Sequence, residues 1–217
     1  MKAVNNNAKK GRITKFHGVM RSLNNRYVAK SRLYSVSFKK LNISNVNFKG
    51  AIITKSSFVN SIITDCEFLG TNLSQCNFKN AIINNCIFLG TKLTSTNFNG
   101  ASFKNVIFVT QRFDDSNNIT FSCETNKIIK HIEKVELSEE LKKQIDRYHE
   151  VSKDKLTHIL KFNTLKYNFL HISILLDTFT QEQLRYALKK IIDNKIFDIP
   201  TIFALKRACK SQLKMLL

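Results

Sequence analysis

The chain has 217 residues, 43% of them apolar, and a formal charge of +19, enough for one large or two small domains with a sizeable core. No run of eighteen apolar residues occurs, which excludes a membrane-spanning helix, and no apolar signal region opens the sequence. Five cysteines point to reduced thiols rather than a disulfide framework, and one proline with six glycines is too little ordinary turn chemistry to punctuate this length.

Residues 1–30 form a basic segment. From Met1 to Thr64 there are thirteen Lys or Arg and no acid; Asp65 to Asp115 carries four of each sign, and the remainder eighteen bases against twelve acids. A positive field concentrated at one end attracts an anionic membrane, nucleic acid or an acidic protein surface. The candidate contacts are Lys9, Lys10, Arg12, Lys15, Arg21 and Arg26. Aromatic residues are sparse there (Phe16, Tyr27, Tyr34), so nucleic-acid binding would be phosphate-driven and salt-sensitive.

Residues 31–110 repeat in fives, from SRLYS, VSFKK, LNISN and VNFKG to ASFKN and VIFVT. All sixteen third positions are Leu, Ile or Phe, residues that make up about 28% of the chain. Fifteen of sixteen first positions are Ala, Ser, Thr, Cys or Val, with Leu41 the exception. A period of five fits neither the 3.6 of a helix nor the 2 of a strand, so it belongs to a structure whose turn is a multiple of five.

This pattern resembles the pentapeptide-repeat family, A-(D/N)-L-X-X. The resemblance implies a mainly β solenoid, a right-handed quadrilateral β-helix of about four coils with four quintets per coil, in which first and third residues point inward. The sequence departs from the family at the second position, where Ile stands at 52, 62, 82, 87 and 107, so a polar surface is not expected on those sides.

The implied geometry gives Cys66, Cys76 and Cys86 the small inward position. Cys66 and Cys86 fall on one wall, roughly 4.8 Å apart by strand spacing, and Cys76 on the opposite one. Opposite walls cannot supply converging metal ligands, so the cysteines are expected to be packing residues. Phe at 38, 48, 58, 68, 78, 88, 98 and 108 should stack on two opposite walls. The wall of Phe48, Phe68, Phe88 and Phe108 presents Leu69, Ile87, Leu89, Ile107 and Val109 outward, a contiguous apolar stripe. Such a stripe marks an interface, either for the chain's own C-terminal segment or for another protein.

Residues 111–137 read as a polar connector, with room for a short strand near Ile119–Cys123. Residues 138–217 read as a small all-α domain of four or five helices. Ser138 is a candidate N-cap ahead of Glu139 and Glu140, Thr180 with Gln183 forms a capping-box pattern, and Asp198 before Pro200 is a further start signal. The last helix would align Ile202, Leu205, Cys209, Leu213 and Leu216 on one side.

Neither a phosphate loop nor a metalloprotease or zinc-finger motif is present, and the histidines are scattered, so no catalytic, cofactor or metal residues are assigned. The expected function is a non-catalytic protein-interaction scaffold, a rigid rod whose helical domain docks a partner or forms a homodimer. The resemblance adds two variants. Several type III and type IV bacterial effectors carry such repeats, which would place the protein in the bacterial cytoplasm or a host cytosol, with the basic segment on an anionic membrane. Quinolone-resistance pentapeptide proteins occupy gyrase by imitating DNA, but that needs carboxylates along the rod, and this rod has only Asp65 and Glu67.

Overall fold

The computed structural model of the chain describes residues 15–109, 119, 124–152 and 158–214. Its first part is a rod of short parallel strands: β1 (Lys15–Val19), β2 (Leu23–Tyr27), β3 (Arg32–Ser37), β4 (Asn42–Asn47), β5 (Ile52–Thr54), β6 (Ile62–Thr64), β7 (Glu67–Leu69), β8 (Ile82–Asn84), β9 (Ile87–Leu89), β10 (Ser102–Lys104), β11 (Ile107–Val109) and β12 (Lys127–Ile129). From β2 onward partners lie twenty residues apart, as in Ile62 with Ile82, Phe68 with Phe88, and Ile107 with Lys127. One turn of the rod is therefore four quintets, and those beginning at Ser31, Val36, Leu41 and Val46 start walls one to four. Walls one and two continue past their strands as single bridges, Ile52 to Asn72 to Lys92 and Ser37 to Ser57 to Asn77 to Asn97.

The corners explain how the chain turns with so few glycines. Every fifth residue from Asn25 to Asn105 has a left-handed backbone, with φ between 50° and 69°. Only four of these positions are glycine. Asn, whose short polar side chain suits this conformation better than most, fills six, and Lys30, Lys40 and Lys55 are held there by the stacked coils.

The small first position has a second function besides leaving room. Where it is Thr or Cys, its side chain donates a hydrogen bond to the carbonyl oxygen twenty-three residues back, at the corner of the coil before. Ser56 and Ser61 donate instead to the nearer Thr54 and Phe58 carbonyls. Thr71 reaches Phe48 at 2.9 Å, Thr96 reaches Leu73 at 2.9 Å, and Cys76 reaches Ile53 at 3.0 Å. Cys66 and Cys86 make the longer sulfur versions to Ile43 and Ile63, at 3.8 and 3.6 Å. All three thiols are buried and free. Burial pushes Cys76 up to about 12, and it raises Cys66 well above the ordinary thiol value, with the neighbouring Cys86 adding to the rise.

The core is two aromatic columns. Phe38, Phe58, Phe78 and Phe98 stack on wall two with centroids 4.4 to 4.9 Å apart, and Phe48, Phe68, Phe88 and Phe108 on wall four at 4.7 to 4.9 Å. Leu33, Ile43, Ile53, Ile63, Leu73, Ile83 and Leu93 fill the other two walls.

The rod has about five turns rather than four. β1 and β2 lie in the segment read from sequence as basic and separate, and they pair with β3 and β4 as a preceding coil. The pentad rule hides them because Arg21 and Arg26 stand where a small residue is expected and the register shifts between Phe16 and Gly18. At the other end β12, inside the segment read as a connector, extends wall four in register with β11. Asn126 takes the first position there: Nδ2 donates to the Phe103 carbonyl (3.1 Å), and Oδ1 accepts from the Val106 amide (2.9 Å). Of the short strand expected at Ile119–Cys123, all but Ile119 lies outside the described residues.

Four helices follow among the described residues: α1 (Glu139–Val151), α2 (Phe169–Leu176), α3 (Gln181–Asp193) and α4 (Ile202–Lys214). None is long and apolar enough to cross a membrane. Ser138 caps α1 by accepting from Leu141 N, and Thr180 with Gln183 forms both bonds of a capping box on α3. The last start signal is displaced. α4 begins beyond Pro200, where the Thr201 hydroxyl accepts from Ala204 N at 3.3 Å, so Thr201 and not Asp198 is the cap. Of the apolar side expected on this helix, Ile202, Leu205 and Cys209 are buried and Leu213 partly so; Leu216 lies outside the described residues.

Because Cys76 does what Thr71 and Thr96 do, Cys76→Ser should cost about 1 kcal/mol or less, whereas Cys76→Leu, with no space at the corner, should cost about 1–3 kcal/mol. Urea denaturation of the two variants checks this.

Candidate functional site

Wall four is where rod and helices meet. Leu69, Ile87 and Val109 are buried, and they share one apolar cluster with Leu141, Ile145 and Tyr148 of α1, Leu184 and Leu188 of α3, and Ile202 and Leu205 of α4. Leu89 and Ile107 pack against the same cluster, partly exposed. The five apolar residues singled out in the sequence are thus brought together, and what covers them in this structure is the chain's own helical domain. At about 25 cal/mol per Å² of apolar surface, such a shared core holds the two parts as one body.

A polar latch lies within this contact. Glu67 stands at the outward second position of wall four and is fully buried. Its Oε1 accepts the Ile202 amide at 2.5 Å, the first turn of α4, and its Oε2 accepts Asn47 Nδ2 at 3.1 Å. The same Asn47 amide donates to the Pro200 carbonyl at 2.9 Å. One coil earlier Asn45 Oδ1 accepts the Thr201 hydroxyl at 2.5 Å, and Arg207 pairs with Asp65. The N-terminus of α4, with its unsatisfied amides and positive dipole end, is capped by a carboxylate from the rod.

His171 of α2 lies beside the latch. It is fully buried, and its Nδ1 lies 2.9 Å from the Ile159 carbonyl, which can only accept, so Nδ1 carries the proton. Nε2 is left facing Glu67 Oε1 at 3.9 Å, without a hydrogen bond among the described residues. Burial drives the imidazole down to about 3; the Ile159 bond opposes this, and the Lys49 charge adds to the lowering.

Among the described residues no group of three His, Cys, Asp or Glu converges as a metal site. Cys209 of α4 is buried and raised to about 12 by desolvation, and Cys123 lies outside the described residues.

Walls one and two are uncovered by the helices, as are Ile62, Ile82 and Ser102 on wall three. Walls one and two expose Arg32, Lys39, Lys40, Lys55, Lys79 and Lys92, with no carboxylate on either wall and no ion pair to any of the six among the described residues. Lys55 lies over the Tyr34 ring at 5.5 Å, so one cation is braced by an aromatic face. Of the basic contacts named from sequence, Lys9, Lys10 and Arg12 lie outside the described residues. Lys15 begins β1, and Arg21 and Arg26 are exposed on the first coil. Sorting outward positions by wall already assigns Lys39, Lys40 and Lys79 to the wall of Phe38, Phe58, Phe78 and Phe98; the fold adds Arg32, Lys55 and Lys92 on the adjoining wall.

A model of pentapeptide repeats, in eight copies, matches residues 42–80 and 71–108. The rod is a pentapeptide-repeat solenoid. Solved structures similar to it include QnrB1, a plasmid-mediated fluoroquinolone resistance protein (16% identity, 44% of this chain and 52% of that one, TM-score 0.41). Rfr23, a pentapeptide repeat protein from the cyanobacterium Cyanothece 51142, is another (18% identity, 38% and 63%, TM-score 0.21). A third is a pentapeptide repeat protein of the Arabidopsis thaliana thylakoid lumen (20% identity, 43% and 69%, TM-score 0.19). The match spans about half the length of QnrB1. No curated protein matches the sequence.

Two consequences of the latch are measurable. Glu67→Ala leaves the Ile202 amide and Asn47 without their acceptor, and should lower stability by about 3 kcal/mol in urea denaturation. His171 stays neutral when folded but charges in the unfolded chain below its usual 6.5, so its effect on stability appears as pH falls below 6.5 and is complete near 3. Wild type should therefore lose stability over that range more steeply than His171→Leu, by up to about 1.4 kcal/mol per pH unit. Parallel pH series of urea midpoints test this.

Proposed function

We propose that this chain is a non-catalytic docking scaffold that holds an acidic partner protein against walls one and two of its rod. The observation that carries this reading is the charge of walls one and two: six exposed cations on two adjoining walls, without a carboxylate, on strands whose partners stack in register. A rigid array of this kind orders no backbone on binding, so little conformational entropy is lost when a complementary surface docks. The apolar wall is already used by the helices, which directs a partner to the basic walls instead.

Imitation of DNA is disfavoured by the same geometry. The rod's two carboxylates between residues 31 and 109 are Asp65 and Glu67, and both are engaged by α4. Neither is presented as a phosphate would be.

Fluorescence anisotropy with an acidic polypeptide, polyglutamate of about 20 residues, tests the proposal against a duplex DNA of similar charge. The acidic polypeptide should bind, more weakly as salt rises from about 50 to about 200 mM, and Lys39→Glu/Lys79→Glu/Lys92→Glu should weaken it at least about tenfold. Tighter binding of the duplex would replace the reading with nucleic-acid binding. Failure of both probes to bind would overturn it.

A further inference from the structure

Beside the latch, on the side away from walls one and two, a cleft of roughly 410 Å³ opens between the rod and the helices. Rod residues Asn85, Asn105 and Ile107 line one side, and α2 and α4 the other. The size falls within the range of small-ligand sites, about 300–1,000 Å³, and is small for a folded segment.

Its charges do not cancel internally. Asp65 is taken by Arg207, and Asp177 pairs with Lys127 at 3.8 Å. Lys206 and Lys210 remain, one helical turn apart on α4, with no ion pair or hydrogen bond among the described residues. Lys206 is half-buried in the cleft wall, and its pKa is lowered by burial first and then by the Lys210 charge, with the nearby Asp177 carboxylate opposing the shift. Two like charges at this spacing oppose the helix that carries them, and an anion between them removes that cost. The apolar part of the lining is Ile107, Ile174 and Phe203, drawn from wall four, α2 and α4. An inorganic anion would leave this surface in water.

We propose that the cleft binds a small amphipathic carboxylate, its anionic head between Lys206 and Lys210 and its apolar body on Ile107, Ile174 and Phe203. Asn105 stands at the rod side of the head, where its amide group is already oriented by a 3.1 Å bond to Asn85. A ligand seated there touches both rod and helices, so it tightens the contact between them. This site is independent of the docking proposed on walls one and two.

Octanoate is the probe, titrated calorimetrically into the full chain, with acetate as the head alone and 1-octanol as the body alone. Octanoate should bind at least about tenfold more tightly than either control and raise the melting temperature, as a ligand of the folded state must. Lys206→Gln/Lys210→Gln, which removes no buried group, should keep the circular dichroism of the wild type and lose octanoate binding by about tenfold or more. Ile107→Asn should weaken octanoate and leave acetate unchanged. Absence of octanoate binding, or unchanged binding in the double lysine variant, overturns the proposal; acetate binding as tightly as octanoate overturns the amphipathic assignment.

Discussion

A backbone that turns through a left-handed residue at every fifth position closes a square coil in twenty residues, and the rest of this molecule depends on that corner. It brings the carbonyl at each third residue within reach of a side chain twenty-three positions on, which is why Thr and Cys both serve there. It brings identical wall positions into register, so Phe meets Phe and Ile meets Ile for the length of the rod. Conformational strain at each corner is repaid by the hydrogen bonds and stacking that only a closed coil makes available. The rod is therefore stable as an array of neighbour contacts rather than as separate turns.

One wall of the array is then put to a different use. Its outward Leu69, Ile87 and Val109 form a core with α1, α3 and α4, and inside that core a carboxylate replaces the missing acceptor of a helix N-terminus. Burying Glu67 is tolerable because each oxygen has a donor and the helix end supplies positive potential. The arrangement fixes the orientation of the helical domain as well as its position, since amide directions at Ile202 and Asn47 must both be met. An apolar contact alone would permit sliding along the rod.

Much of the rod was legible in sequence because a period of five has no competing interpretation. The third-position Leu, Ile and Phe identify the inward face, and the first-position residues confirm it. The coil before Ser31 was hidden by Arg21 and Arg26 at small-residue positions, and β12 by the polar residues that precede it. Helix starts at Ser138 and Thr180 were readable from local capping chemistry. The start of α4 was read at Asp198 rather than at Thr201, because Asp198 before Pro200 carries a local start signal of its own. The Glu67 carboxylate that meets the Ile202 amide lies 135 residues away, where no local pattern reports it. The same limit hid the latch and the cleft: His171, Lys206 and Lys210 look like ordinary helical residues until the rod is laid beside them. By contrast the apolar stripe was visible, although only the fold shows that its partner is in the same chain.

The latch also has an evolutionary consequence. Solenoids commonly grow or shrink by duplicating or deleting whole coils, since each coil accepts any similar neighbour. Here Asn45 and Asn47 stand one coil before Asp65 and Glu67, and all four hold neighbouring points on a single stretch of chain, from Pro200 to Arg207. A coil inserted between them would separate these anchors by a further 4.8 Å or so, and the helix could then satisfy one pair but not the other. The helical domain thus acts as a ruler on the rod, and copy number, ordinarily the freest variable in a repeat protein, becomes a fixed one.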